Sequence, residues 1–202
     1  MNIKKLLGYA LGPIGGAAAS AVALPLISWY FPADDIGRIV LLQTVSSLVL
    51  IVLGLGLDQA YIREYHAAGN RDSLLKAVLV LPLAFIAAAV LLLGIFNRAW
   101  PSALILELNS ASVGLLCLIF MATMLLSRYL SVVLRMQERA YAFSFRQLTP
   151  KILILVIVLA YMLTGAAQSP FNLIFAYTLA QILTPLFLLL PKLQNISFYF
   201  LL

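Results

Sequence analysis

Six long apolar stretches divide this chain, and its positive charge falls almost entirely on every second connection between them. A helix crossing about 30 Å of hydrocarbon needs about 20 mainly apolar residues. Spans are therefore expected over residues 7–30, 38–60, 77–96, 111–134, 150–165 and 172–191. They use most of the 202 residues and leave no room for a soluble domain. The expected fold class is all-α integral membrane, a six-transmembrane-helix lobe over residues 1–192. Only 10% of residues are charged, far below the roughly 25% of soluble domains, so the placement of each charge carries information.

That placement gives an orientation. With a cytoplasmic N-terminus, Lys4, Lys5, Arg63, Arg71, Lys76, Arg135, Arg139, Arg146, Lys151 and Lys192 all fall on the cytoplasmic side. Arg38 and Arg98 fall on the other, with Asp34, Asp35 and Glu107, and Arg128 lies inside a span. Lys and Arg in short loops stay on the cytoplasmic face, so the opposite topology is disfavoured. The net charge of +6 is explained by this asymmetry and does not indicate a nucleic-acid partner; membrane lipids are the expected surroundings.

Reactive chemistry is sparse. Cys117 is the only cysteine and falls within a span, so no disulfide or zinc framework forms within one chain. His66, the only histidine, is six residues from Asp72 and misses the HxxxxD spacing of some membrane acyltransferases. No catalytic residue, metal or cofactor is assigned, and the chain is not read as an enzyme. Lys4 and Lys5 before an apolar run resemble a signal peptide, but Gly12, Pro13, Gly15 and Gly16 interrupt that run. The apolar sequence then continues to Trp29 and Tyr30, as in a retained span.

Within the first span Gly12, Gly16 and Ser20 recur every four residues, as do Gly15, Ala19 and Ala23. Small residues at that spacing let a second helix backbone approach closely. Pro13 and Pro25 add bending points. The loop from Pro32 to Gly37 closes an antiparallel hairpin, with Asp35 the expected cap of the second helix. On the helix of the second span Gln43, Ser47, Gly54 and Asp58 share a polar face. Such a face turns to protein or a water-filled cavity. In the fourth span Gly114, Cys117, Met121, Met124, Arg128, Ser131 and Arg135 share a face. Arg128 either snorkels to cytoplasmic headgroups or lines a cavity. Residues 135–144 read as an amphipathic interfacial helix. Pro150 is read in the first turn of the fifth span, with Lys151 a cytoplasmic anchor. Tyr177, Gln181 and Thr184 give the sixth span a modest polar face. Residues 193–202 read as a tail, the truncated start of a further span.

Three segments together resemble the N-terminal half of a polysaccharide or O-antigen flippase, a family in the superfamily of multidrug and oligosaccharidyl-lipid exporters. The first is the small-residue span from Gly8 to Pro25 with its short loop and Gly37. The second is Gly54 to Glu64, similar to the family's GLD-x-A-x-x-R ending of span two. The third is Leu134-Arg135 through Glu138-Arg139-Ala140 and Phe143, then Gln147 and Lys151, similar to its LR-x-x-E-R-A loop. Members of that family have two six-helix lobes; this chain has residues for one. A second lobe supplied separately or a homodimer would complete the architecture.

The resemblance implies translocation of undecaprenyl-pyrophosphate-linked oligosaccharide across the bacterial inner membrane. Arg128 is then the first candidate for contact with diphosphate or sugar and Arg38 the second, with Gln43, Asp58 and Arg135 on the adjoining polar faces. Asp58 either titrates or binds a coupling cation, or it pairs with Arg63 or Arg135. In related flippases the first span can carry cavity arginines; the first span here carries none. A multidrug extruder of the same fold and an inactive accessory subunit are the alternatives.

Overall fold

The computed structural model describes residues 3–67, 69–96 and 99–193. Arg98 and the tail reading for residues 194–202 lie outside them. Among the described residues eight helices run in order: α1 (Ile3–Tyr30), α2 (Ala33–Gly54), α3 (Leu57–Glu64), α4 (Arg71–Phe96), α5 (Trp100–Leu106), α6 (Ala111–Met136), α7 (Ala140–Thr164) and α8 (Pro170–Leu193). No strand occurs among the described residues. Leu7–Tyr30, Ala33–Val52, Ala111–Met136 and Ala140–Thr164 are each long and apolar enough to cross a membrane. Helices α4 and α8 have comparable lengths of 26 and 24 residues.

The outer surface shows why these helices need lipid. Ile14, Val22, Leu48, Ile51, Val52, Leu115, Val156 and Leu163 are all more than half exposed. Soluble monomers rarely expose contiguous apolar patches beyond a few hundred Å²; hydrocarbon solvates such a surface. With no water available there, each backbone amide must bond within its own helix.

Close packing of α1 on α7 organises one side of the bundle. The expected glycine face is real, and its partner is α7. A Cβ on Gly12 would stand 2.8 Å from the Ser144 Cα, and one on Gly8 2.9 Å from the Ala140 Cβ. The Ser144 hydroxyl donates to the Gly8 carbonyl across this contact. Pro13 and Pro25 both sit inside α1. Each lacks the amide that would bond to the carbonyl four residues earlier.

Two apolar clusters hold the ends together. At one end Ala23, Ile27, Phe31, Leu42, Leu106, Cys117, Phe120, Val158 and Leu173 interlock. There Tyr30 donates its hydroxyl to the carbonyls of Tyr161 and Ala166, joining α1 to the end of α7. At the other end Leu50, Tyr61, Tyr65, Leu75, Val78, Leu125, Tyr129 and Val132 pack α3 and α4 against α6. The short α5 buries Pro101, Ser102 and Leu106 and leaves Trp100 exposed.

Several boundaries depart from the sequence reading. The second span stops at Gly54 rather than residue 60, because Leu55 (φ 45°) and Gly56 (φ 72°) both turn left-handed. The fifth helix begins at Ala140 rather than residue 150, so Pro150 lies inside it instead of in its first turn. No separate interfacial helix occupies residues 135–144: α6 continues to Met136, a turn follows, and α7 starts. Asp35 is not the cap of α2; Pro32 holds that position and makes no side-chain capping bond.

Filling the α1–α7 contact should unfold it selectively. Gly12→Val meets backbone that cannot yield, and overpacking of this kind costs about 1–3 kcal/mol. Gly37→Ala meets nothing within 4 Å and should gain about 0.5–1 kcal/mol from helix propensity. Unfolding midpoints in detergent micelles should fall for the first and hold or rise for the second.

Candidate functional site: a cationic cleft between α2, α3, α6, α7 and α8

Between the two apolar clusters the helices leave a cleft of about 530 Å³. Its walls carry Ser47 from α2, Asp58 and Gln59 from α3, Ser127, Arg128, Ser131 and Arg135 from α6, Phe143, Arg146 and Gln147 from α7, and Gln181 from α8. A second cleft of about 380 Å³ adjoins it, sharing Ser47, Met124 and Gln181 and adding Ser20, Gln43, Lys151 and Tyr177. The combined lining is rich in amides, hydroxyls and cations.

Each cation arrives there for a local reason. Met124, Arg128, Ser131 and Arg135 follow one another at helical spacing on α6, so all face one way. The expected α6 face divides in two. Its first half, with Gly114 and Cys117, is buried, and its second half lines the cleft. On α7, Phe143, Gln147 and Lys151 recur every four residues, with Arg146 beside them. Lys151 reaches back toward α1: a Cβ on Gly16 would stand 3.3 Å from its Nζ. It sits eleven residues into α7, in mid-helix rather than at a loop boundary.

Asp58 is held by Arg128. Arg128 Nη2 donates to Asp58 Oδ2 at 2.8 Å and its Nε to the same oxygen at 3.2 Å. The other carboxylate oxygen, Oδ1, accepts from the Gln59 amide at 3.1 Å. The partner is thus Arg128 rather than Arg63 or Arg135. Asp58 also reaches the cleft by another route than the one expected. It belongs to α3, beyond the break at Leu55–Gly56, and does not continue a stripe along α2. Arg135 places its guanidinium 5.3 Å over the Phe143 ring, a cation–π arrangement.

Of the sequence candidates, Arg128, Asp58 and Arg135 converge on the first cleft and Gln43 on the second. Arg38 does not join them. Its Nη1 donates to Asp35 Oδ1 at 2.7 Å and its Nε to the Leu106 carbonyl at 3.2 Å, which ties the start of α2 to α5. Sequence reasoning did not assign Arg146, Gln147, Lys151 or Gln59 to the site. The first three were legible as a helical face running from Phe143 to Ile154, had the periodicity been carried through Pro150. His66 is exposed and edge-on to Tyr65. No group of three or more His, Cys, Asp or Glu side chains converges among the described residues.

Among the described residues, three guanidiniums and one carboxylate line the first cleft, and one ammonium lines the second. No family model, curated protein or solved structure matches this chain.

The Asp58–Arg128 pair is asymmetric: the Asp58 side chain is 12% exposed and that of Arg128 41%. Screening at the exposed partner keeps the pair's coupling to about 1 kcal/mol or less. Removing the cation strands a mostly buried carboxylate, so Arg128→Gln should destabilise more than Asp58→Asn. A double-mutant cycle of unfolding in micelles should show that order, with the double variant more stable than Arg128→Gln alone.

Proposed function

We propose that this chain is one six-span lobe of a translocator for undecaprenyl-pyrophosphate-linked oligosaccharide in the bacterial inner membrane, with its N-terminus cytoplasmic. The observation that carries the reading is the cleft itself, where Arg128, Arg135 and Arg146 outnumber Asp58 and are ringed by Gln and Ser side chains. A diphosphate needs charge-assisted donors, and guanidinium supplies them as a planar fork. A hydrated sugar needs neutral donors and acceptors, which Gln59, Gln147, Gln181 and the serines supply. Convergence of these groups on one cleft between helices offers a polar route through hydrocarbon.

The excess of basic over acidic side chains also bears on the alternative of the same fold. An extruder of organic cations calls for free acidic groups in the cavity, and the carboxylate lining this cleft is already engaged by Arg128. In the proposed mechanism the lobe rocks against a second lobe, or against a second copy of itself, to expose the cleft to each side in turn. Pro13 and Pro25 inside α1, each removing one helical hydrogen bond, suit such movement.

Two experiments test this. A strain lacking its O-antigen flippase, given this chain alone or with a matched second half, should recover surface polysaccharide, and Arg128→Ala should abolish the recovery. Failure of both combinations, with insertion verified, contradicts transport. For the orientation, His66→Cys and Glu107→Cys on a Cys117→Ser background should label from opposite sides of the membrane, His66→Cys from the cytoplasm. Labelling of both from one side contradicts the topology.

A further inference from the structure

We infer that Arg135 and Arg146 together form a phosphoryl-anion site within the cleft, separate from the Asp58–Arg128 pair. This rests on the reading of the cleft given under Proposed function and assigns the residues that take the substrate's phosphates. The two guanidiniums come from neighbouring helices, α6 and α7, and both line the same cleft. Among the described residues neither forms an ion pair, and the carboxylate that lines the cleft, Asp58, is occupied by Arg128. The Arg146 Nε is buried with no hydrogen-bond partner, as is the nearby Ser127 hydroxyl. Stacking on Phe143 positions the Arg135 guanidinium and leaves its N–H edge free of protein hydrogen bonds among the described residues.

Two like charges held together without a counter-ion disfavour each other, and a buried donor without an acceptor costs free energy. A multivalent anion between them relieves both. Phosphoryl oxygens match the fork of a guanidinium, and two such forks suit a group carrying two or more negative charges. The ligand class is therefore a phosphate or diphosphate, carried on a lipid or free in solution.

Both sources can be tested on the purified full-length chain. Inorganic diphosphate is titrated in nonionic micelles, and a long-chain lipid diphosphate is titrated in phosphatidylcholine nanodiscs, with the unfolding midpoint and a binding isotherm as readouts. Saturable binding is expected in at least one arm. Binding in the nanodisc arm assigns the site to a lipid headgroup; binding of the free anion alone assigns it to a soluble anion. Arg135→Gln and Arg146→Gln should each weaken binding at least tenfold. Arg63→Gln, on the exposed side of α3, should leave it unchanged. Without ligand, Arg146→Gln should match or exceed the wild-type midpoint, because it removes a repulsion. Absence of saturable binding in both arms overturns the site. So does an equal loss in Arg63→Gln, which would mark diffuse surface attraction. Binding without recovery of surface polysaccharide would keep the site and remove the transport reading. Recovery that survives Arg146→Gln would do the reverse.

Discussion

The close approach of α1 to α7 across a glycine face governs the shape of the cleft side of the molecule. Gly8, Gly12 and Gly16 leave no side chains between the two backbones, so Ala140, Ser144 and Lys151 of α7 lie directly against α1. The adjoining face of α7 carries Arg146 into the cleft between α6 and α8, while Phe143 and Gln147 border that cleft and also lie beside Tyr9 and Gly12 of α1. Between helices in lipid, association depends on van der Waals contact and interhelical hydrogen bonds rather than on the hydrophobic effect. Glycine provides the first here, and the Ser144 hydroxyl on the Gly8 carbonyl provides the second. A side chain at Gly12 would therefore disturb the positions of the cleft cations as well as the packing.

Charge is distributed through the cleft in two different ways. Arg128 is matched: it neutralises Asp58 and joins α6 to α3 just beyond the break in α2. Arg135 and Arg146 are unmatched among the described residues, apart from the Phe143 ring under Arg135. Matched charge holds a structure together, whereas unmatched charge at a partly buried site is a cost that a ligand can remove. The same distinction separates Arg38 from the cleft arginines. Its carboxylate partner, Asp35, is one turn away on the same helix, and its Nε is bound to a backbone carbonyl.

Much of the helical framework was readable because apolar length and proline or glycine punctuation carry it. The first and fourth spans coincide closely with α1 and α6, and the small-residue periodicity of the first span correctly implied a closely approaching helix. Two errors have local causes. Gly54 and Gly56 were read as part of a span, although two glycines so close together weaken a helix by about 1 kcal/mol each; the left-handed turn at Leu55 between them has no sequence signature. Proline favours a helix start, which is why the sequence points to one at Pro150, although α7 carries it in its interior. That error hid Arg146 and Lys151 among the loop charges. Composition assigns a charge to a side of the membrane but not to a cavity, and Arg38 lies apart from the clefts, bonded to Asp35 and the Leu106 carbonyl. Its spacing of three from Asp35 was the available clue.

A photoactivatable analogue of a polyprenyl-diphosphate-linked sugar, crosslinked to the chain in native membranes and mapped by peptide mass spectrometry, tests the central claim most directly. The account predicts adducts on the cleft faces of α6 and α7, at Met124–Arg135 and Phe143–Lys151, reduced by competition with unlabelled lipid diphosphate. Adducts confined to lipid-facing positions such as Leu115, Val156 and Leu163, or insensitive to that competitor, would contradict it.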